Sequence, residues 1–305
     1  MLQRADIPKL LTPGLRTEFQ MGLTNRATVF QLYSMTVKSN KKLEEYPWLG
    51  STPKMREWKD ERHIDEVLEK SFSIVNKSYE ATFGVDRDAL DDELYGQIMM
   101  RARQMGDEVA RHKDELGAAT VEAGTSELAY DGQNFFDTDH EEADSGVQSN
   151  NLVGASYAFS SDALQSIISA MRQFKDDKGK FAGVAPTHVM VPSDLEWKAR
   201  EILDPSVIDR AGGSTPNQNL LRGRLEIIVN DYLTNNGDNS AYYVMDLSKG
   251  IKPFIYQTRK EAEMVMLNRP EDLENFMRKQ IFFGVDARYA FGYGEWRLAV
   301  RAAGA

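Results

Sequence analysis

The sequence predicts an α+β fold on three observations. Residues 86–113 carry apolar side chains at helical spacing over about six turns. Elsewhere short strand and helix segments mix, without the regular alternation of a Rossmann sheet or barrel. The chain closes on an aromatic alternating segment, with Phe283, Val285, Ala287, Tyr289, Phe291 and Tyr293 two apart. At 305 residues it has room for about two domains, or one with a large insertion.

Each element has its own signal. Leu15, Phe19, Leu23, Ala27 and Phe30 form one helix face up to Tyr33, and Thr12 is the expected cap. Tyr46, Pro47, Trp48, Gly50, Pro53, Met55 and Trp58 then exclude a regular helix. Phe72, Ile74 and Asn76 alternate with Ser71, Ser73 and Val75, so a strand is expected around 68–79. Residues 50–84 read as a long two-stranded excursion, bending near Lys59-Asp60-Glu61-Arg62.

The long helix shows Leu90, Leu94, Ile98, Ala102, Met105 and Val109, with Asp86 as cap and acids in its first turns. Residues 114–156 read as a long ordered loop anchored by Phe135 and Phe136. Leu164, Ile167, Ile168, Met171 and Phe174 mark a second helix, capped by Ser160 or Ser161. Thr187–Pro192 reads as a buried strand, and Ser193-Asp194-Leu195-Glu196 as a capping box opening a helix to Leu203. Residues 204–222 read as a loop. Strands are expected at Leu225–Asn230, Ala241–Asp246 and Pro253–Gln257, with a turn at Asn235–Asp238. Gln280 to Val300 reads as a long strand or hairpin, with Gly284, Gly292 and Gly294 as kinks.

Composition removes several functions. Without cysteine there is no disulfide scaffold, Cys-ligated zinc, iron–sulfur cluster or thiol catalysis. A net charge of −10 argues against a general basic nucleic-acid surface. The imbalance lies in residues 1–150, with 18 Lys+Arg against 28 Asp+Glu. It reads as a solvated acidic helix surface, or as a surface kept from sticking to nucleic acid. Mean hydropathy is −0.50, and no apolar run approaches a membrane span. The N-terminus lacks a signal-peptide pattern, so a soluble, cytoplasmic protein is expected.

Catalytic motifs are mostly missing: neither a phosphate loop, G-x-G-x-x-G, G-x-S-x-G nor H-E-x-x-H occurs. The strongest candidate cluster is Asp137, Asp139 and His140, near Asp131 and Glu141. Carboxylates alternating about an imidazole suit a divalent metal, but a loop tied by local Asx bonds fits the spacing better. Asp91-Asp92-Glu93 and Asp107-Glu108 read as solvated helix faces. Trp48 and Trp58 either cap a local core or face another subunit.

Several segments, in order, resemble one family. They are Leu11-Thr12-Pro13-Gly14-Leu15-Arg16-Thr17-Glu18-Phe19, then Trp48-Leu49-Gly50-Ser51-Thr52-Pro53-Lys54-Met55-Arg56-Glu57-Trp58 with Glu61-Arg62. Asn76-Lys77-Ser78-Tyr79-Glu80-Ala81-Thr82-Phe83 and Asp92 follow, then Tyr130-Asp131-Gly132-Gln133-Asn134-Phe135-Phe136-Asp137-Thr138-Asp139-His140. The pattern is similar to the major head (capsid) subunits of Mu-like tailed bacteriophages, from about residue 10 to 300; residues 205–240 match least.

The resemblance implies the tailed-phage major capsid fold of Hong-Kong-97 type. Its parts would be an N-terminal arm and helix (1–49), extended loop (50–84), peripheral domain with spine helix and long loop (85–159), axial domain (160–274), and C-terminal strands returning to the peripheral domain (275–305). It implies a major capsid protein that self-assembles into hexamers and pentamers of an icosahedral head enclosing double-stranded DNA without sequence-specific binding. Other implied partners are scaffold or protease, portal and decoration proteins. The place is the virion, after assembly in the host bacterial cytoplasm. No catalytic residue and no cofactor is expected, and Trp48, Pro53, Arg56 and Trp58 are the candidate subunit contacts. The alternatives are a cellular encapsulin-like shell, a metal-dependent hydrolase using Asp137, Asp139 and His140, and a small tail or baseplate component.

Overall fold

A computed structural model describes residues 7–46, 72–86, 95–204, 207–208, 217–234, 240–267, 277 and 279–304. Two sheets organise it. Four strands, β1 (Ser34–Lys38), β4 (Lys77–Asp86), β11 (Phe254–Leu267) and β12 (Gln280–Tyr293), stand in the order β1-β11-β12-β4. β1 runs parallel to β11, and the other pairs are antiparallel. Five strands, β5 (Asn151–Val153), β6 (His188–Val191), β9 (Glu226–Val229), β10 (Ala241–Met245) and β13 (Ala299–Ala303), stand in the order β5-β13-β10-β6-β9. Every residue of central β10 is buried, as expected for a strand covered on both faces. A two-stranded ribbon joins β2 (Leu43–Tyr46) to β3 (Phe72–Val75). β7 (Val207–Ile208) and β8 (Asn217–Gln218) form a short pair within the 204–222 stretch that reads as a loop.

Among the described residues five helices cover these sheets: α1 (Ile7–Asn25), the one-turn α2 (Phe30–Tyr33), α3 (Tyr95–Ala123), α4 (Ser161–Arg172) and α5 (Glu196–Leu203). Among the described residues none is long and apolar enough to cross a membrane. α3 has 29 residues and passes Lys113, where the sequence reading stops, by ten. The reading fails because the buried stripe continues as Asp114, Gly117, Ala118 and Val121, three of them polar or small. Asp114 has a second role. Its carboxylate accepts the Val29 and Phe30 N–H groups at 2.8 and 2.9 Å, and so caps α2. Burial pushes the Asp114 carboxyl above its ordinary value, against the lowering effect of those two bonds.

This cap also divides the first expected helix. It ends at Asn25, and Phe30–Tyr33 forms a separate turn. Thr12, the expected cap, lies inside α1 together with Pro13. Asp86, the expected cap of the long helix, instead ends β4, and 87–94 lie outside the described residues. Ser160 caps α4 as expected, accepting from Ala163 N, and all five stripe residues are buried. The expected capping box at Ser193 does not form. Ser193–Leu195 is a 3₁₀ turn with no side-chain cap, and Glu196 pairs with Arg200 at 2.9 Å.

Two cores result. The larger lies between the five-stranded sheet, α4 and the near half of β11–β12. The smaller holds Leu15, Phe19, Ile98, Ala102, Met264, Ile281 and Phe283, between α1, α3 and the far half of the four-stranded sheet. α1 and α3 touch backbone to backbone. A Cβ on Gly22 would lie 2.0 Å from the Arg103 carbonyl oxygen, and one on Gly106 would lie 2.2 Å from that of Phe19. Only glycine permits this approach.

Sheet membership crosses the spans read from sequence. β11, within 160–274, pairs into the four-stranded sheet. β13, within 275–305, pairs with β10. The 50–84 stretch is described from residue 72 onward. There β3 continues into β4, which pairs along its whole length with β12. The turn expected at 235–238 lies outside the described residues.

Candidate functional site

The loop carrying Asp131, Asp137, Asp139 and His140 is folded onto the larger core. Phe135 stacks on Tyr293 at 4.8 Å, and Phe136 lies 5.4 Å from Tyr243. These are the anchors expected of the two phenylalanines. His140 is fully buried and lies parallel to the Trp296 indole at 4.0 Å. Its Nδ1 meets Asp131 Oδ2 at 2.6 Å, and its Nε2 meets Asn150 Oδ1 at 3.2 Å.

Buried Asn150 fixes that geometry. Its Nδ2 donates to the carbonyls of Phe135, Trp296 and Ala299, at 2.8, 3.3 and 3.2 Å. Its Oδ1 must then face inward, where it also accepts Asp137 N–H at 2.9 Å. Both His140 ring nitrogens thus face side-chain oxygens inside the core, Asp131 Oδ2 on one side and Asn150 Oδ1 on the other. The candidate trio is also split. Asp139 is exposed, and its carboxyl is held above its ordinary value by a hydrogen bond to Asp137. Burial pulls the Asp137 carboxyl up, but bonds from Thr138 N–H, Asp139 and Asn134 N–H outweigh it and hold it below its ordinary value. Among the described residues no three His, Asp or Glu side chains come together to hold a metal ion. The cluster is a loop tied by local hydrogen bonds from Gln133, Asn134 and Thr138 N–H to the Asp131 and Asp137 carboxylates.

Beside it lies a buried ionic node that sequence reasoning missed. Arg297 Nη1 contacts Glu295 at 2.7 Å, and Nη2 lies 3.2 Å from Glu142. Arg297 Nε donates to the Lys175 carbonyl at 2.8 Å, and Trp296 Nε1 donates to Glu142 at 3.0 Å. Tyr130 OH sits between the two carboxylates, 2.8 Å from Glu142 and 3.0 Å from Glu295. Burial disfavours the Arg297 charge, but Glu295, Tyr130 and Glu142 more than offset it, so the guanidinium is held charged. Burial also raises the Tyr130 phenol far above its ordinary value. The node is a clasp between the 130–142 loop and residues 295–297.

Trp48, Pro53, Arg56 and Trp58 lie outside the described residues. The root of the segment that carries them is described. Tyr46 OH donates to Gln257 Oε1 at 2.5 Å, and Gln257 Nε2 donates to the Ile74 carbonyl at 3.3 Å. Burial, then the charge of Glu44, pushes the Tyr46 phenol up to about 12. Ile74 seats on β12 at Gly292, where a Cβ would come within 2.5 Å of Ile74 Cδ1. Neither Gln257 nor Gly292 announces this in the sequence, because the contact joins strands far apart in the chain.

This arrangement of long helix, two sheets and extended ribbon is the fold of tailed-phage capsid subunits. The procapsid of bacteriophage JBD30 superposes with a TM-score of 0.61 at 25% identity, covering 99% of this chain and 76% of that one. A virus-like particle from Pyrococcus furiosus shares the fold alone, at a TM-score of 0.55 and 11% identity, covering 94% of this chain and 96% of that one. The family model of the Mu-like prophage major head subunit gpT matches residues 9–160, 152–233 and 234–305, and the chain belongs to that family. The major capsid protein of Escherichia phage Mu is 26% identical over 300 residues, spanning 98% of this chain and 74% of its own. The protein is a major head subunit, a structural component of a virion, as the resemblance implied.

Proposed function

We propose that the subunit assembles with copies of itself into hexamers and pentamers of an icosahedral head that encloses double-stranded DNA. The observation that carries this is the family match along nearly the whole chain. Weak contacts suffice, because closure makes them multivalent. An acidic to neutral subunit suits a container that holds DNA by enclosure rather than by charge pairing.

The division of labour proposed is an arm and helix at 1–49, an extended loop at 50–84, a peripheral part on α3 and the four-stranded sheet, and an axial part on the five-stranded sheet with α4 and α5. Trp48, Pro53, Arg56 and Trp58 are the proposed contacts to a neighbouring subunit. Scaffold or protease, portal and decoration proteins are the other proposed partners, and the host cytoplasm is the proposed place of assembly. The role is assembly without turnover.

Negative-stain microscopy of the purified protein tests this. Closed shells of tens of nanometres are expected. Small rings or monomers alone, the signature of a tail or baseplate component, would sink the reading. Shells holding a protein load instead of duplex DNA would point to a cellular, encapsulin-like container.

A further inference from the structure

The strand that runs from Phe72 to Asp86 changes partners at one residue. Up to Val75 it pairs with β2, and from Lys77 it pairs with β12. Asn76 is the pivot, and it is buried. Its backbone N–H donates to the Lys42 carbonyl at 3.0 Å. Its Nδ2 donates to Ser39 Oγ at 2.8 Å and to the Lys41 carbonyl at 2.9 Å. Ser39 N–H donates in turn to the Thr258 carbonyl on β11 at 2.8 Å. Glu44 closes the knot, accepting the N–H groups of Asn40 and Lys41 at 2.9 and 3.0 Å.

Asn76 Oδ1 is buried with no hydrogen-bond partner. An unmet buried acceptor is destabilising, and the two Nδ2 bonds are kept against that cost. A second clamp lies across the ribbon, where Gln257 bonds both strands through Tyr46 OH and the Ile74 carbonyl. The ribbon is therefore fixed in direction as well as in place. A strand that leaves its sheet with neither pin would be free to swing about residue 76.

We propose that Asn76, with Ser39 and Gln257, is a positioning residue for assembly: it sets the angle between the β2–β3 ribbon and the four-stranded sheet. The importance of that angle for the shell rests on the proposed function. The angle itself does not.

The cysteine-free chain permits a direct measurement. Spin labels on Glu45→Cys in β2 and Gln104→Cys in α3, both exposed positions, report the ribbon's angle as a distance distribution. The unsubstituted background should give one narrow peak. Asn76→Ala should broaden it while the subunit still melts cooperatively, and Ser39→Ala should do the same more weakly. An unchanged peak in folded Asn76→Ala overturns the proposal. If Asn76→Ala does not fold, an unchanged peak in Ser39→Ala overturns it.

Particle diameter by microscopy reads the link to assembly. Asn76→Ala should give scattered diameters or open sheets. Shells of unaltered diameter despite a broadened peak would overturn that link. Failure of the unsubstituted protein to form shells would count against the proposed function alone, and the distance peaks would still decide the positioning claim.

Discussion

The long hairpin β11–β12 is two different strands at its two ends. In the near half Phe254, Ile255, Tyr256 and Gln257 are all buried, between β1, the 130–142 loop and the ribbon. Past the irregular pairing at Thr258–Glu263 the pattern becomes alternating. Met264 is buried against α1 and α3, while Val265 and Leu267 are about half exposed, 51% and 49%. The near half is a core strand covered on both faces. The far half has one covered face, supplied by two helices that meet through glycine. The same backbone pairing thus serves a self-sufficient core and a thinner, one-sided one.

The contrast can be broken by substitution. The largest effect is expected at the node that follows the near half. Arg297→Met leaves buried Glu142 and half-buried Glu295 without their cation, a loss of about 3–5 kcal/mol in urea unfolding of the subunit. In the far half, Ile281→Ala on the covered face should cost about 2–5 kcal/mol by the same measurement. Val265→Ser on the open face should stay within about 0.5 kcal/mol. Equal losses at Ile281 and Val265 would show that the far half is covered on both faces, and the comparison would fail.

The smallest effect is at the ribbon root and depends on pH. Backbone N–H groups of Asn40 and Lys41 hold the Glu44 carboxyl below its ordinary value of 4.5. A carboxyl depressed in the folded state contributes stability above its unfolded value and loses it as pH falls through the folded one. The melting temperature of the parent should therefore exceed that of Glu44→Gln at neutral pH. The gap should close as pH drops below about 4.5. A gap independent of pH would assign the effect of Glu44 to packing instead.

What was legible in the sequence was periodic. The α4 stripe appears as read; the β12 alternation holds from Ile281 to Tyr289, breaks at Ala290–Phe291, and the strand ends at Tyr293, short of Val300. The family's ordered segments carried the fold class further than periodicity could. The far end of α3 was illegible because Gly117 and Ala118 pack closely where a helix stripe ordinarily shows large side chains. The fate of His140 was half legible: Asp131 and His140 stand near one another in sequence, but Asn150 and Trp296, which occupy the ring, do not signal their approach. Arg297 carries no local signal of its burial, which depends on Glu142 arriving from another part of the chain.

The glycine crossing of α1 and α3 has a mechanical consequence. Most helix pairs meet through a layer of side chains that can change rotamer and yield. At Gly22 and Gly106 that cushion is gone, and peptide groups bear directly on one another. A load applied at the N-terminal end of α1 would pass to α3 through a joint with little give. The two helices then respond as one beam, and bending is displaced to whatever lies beyond its ends.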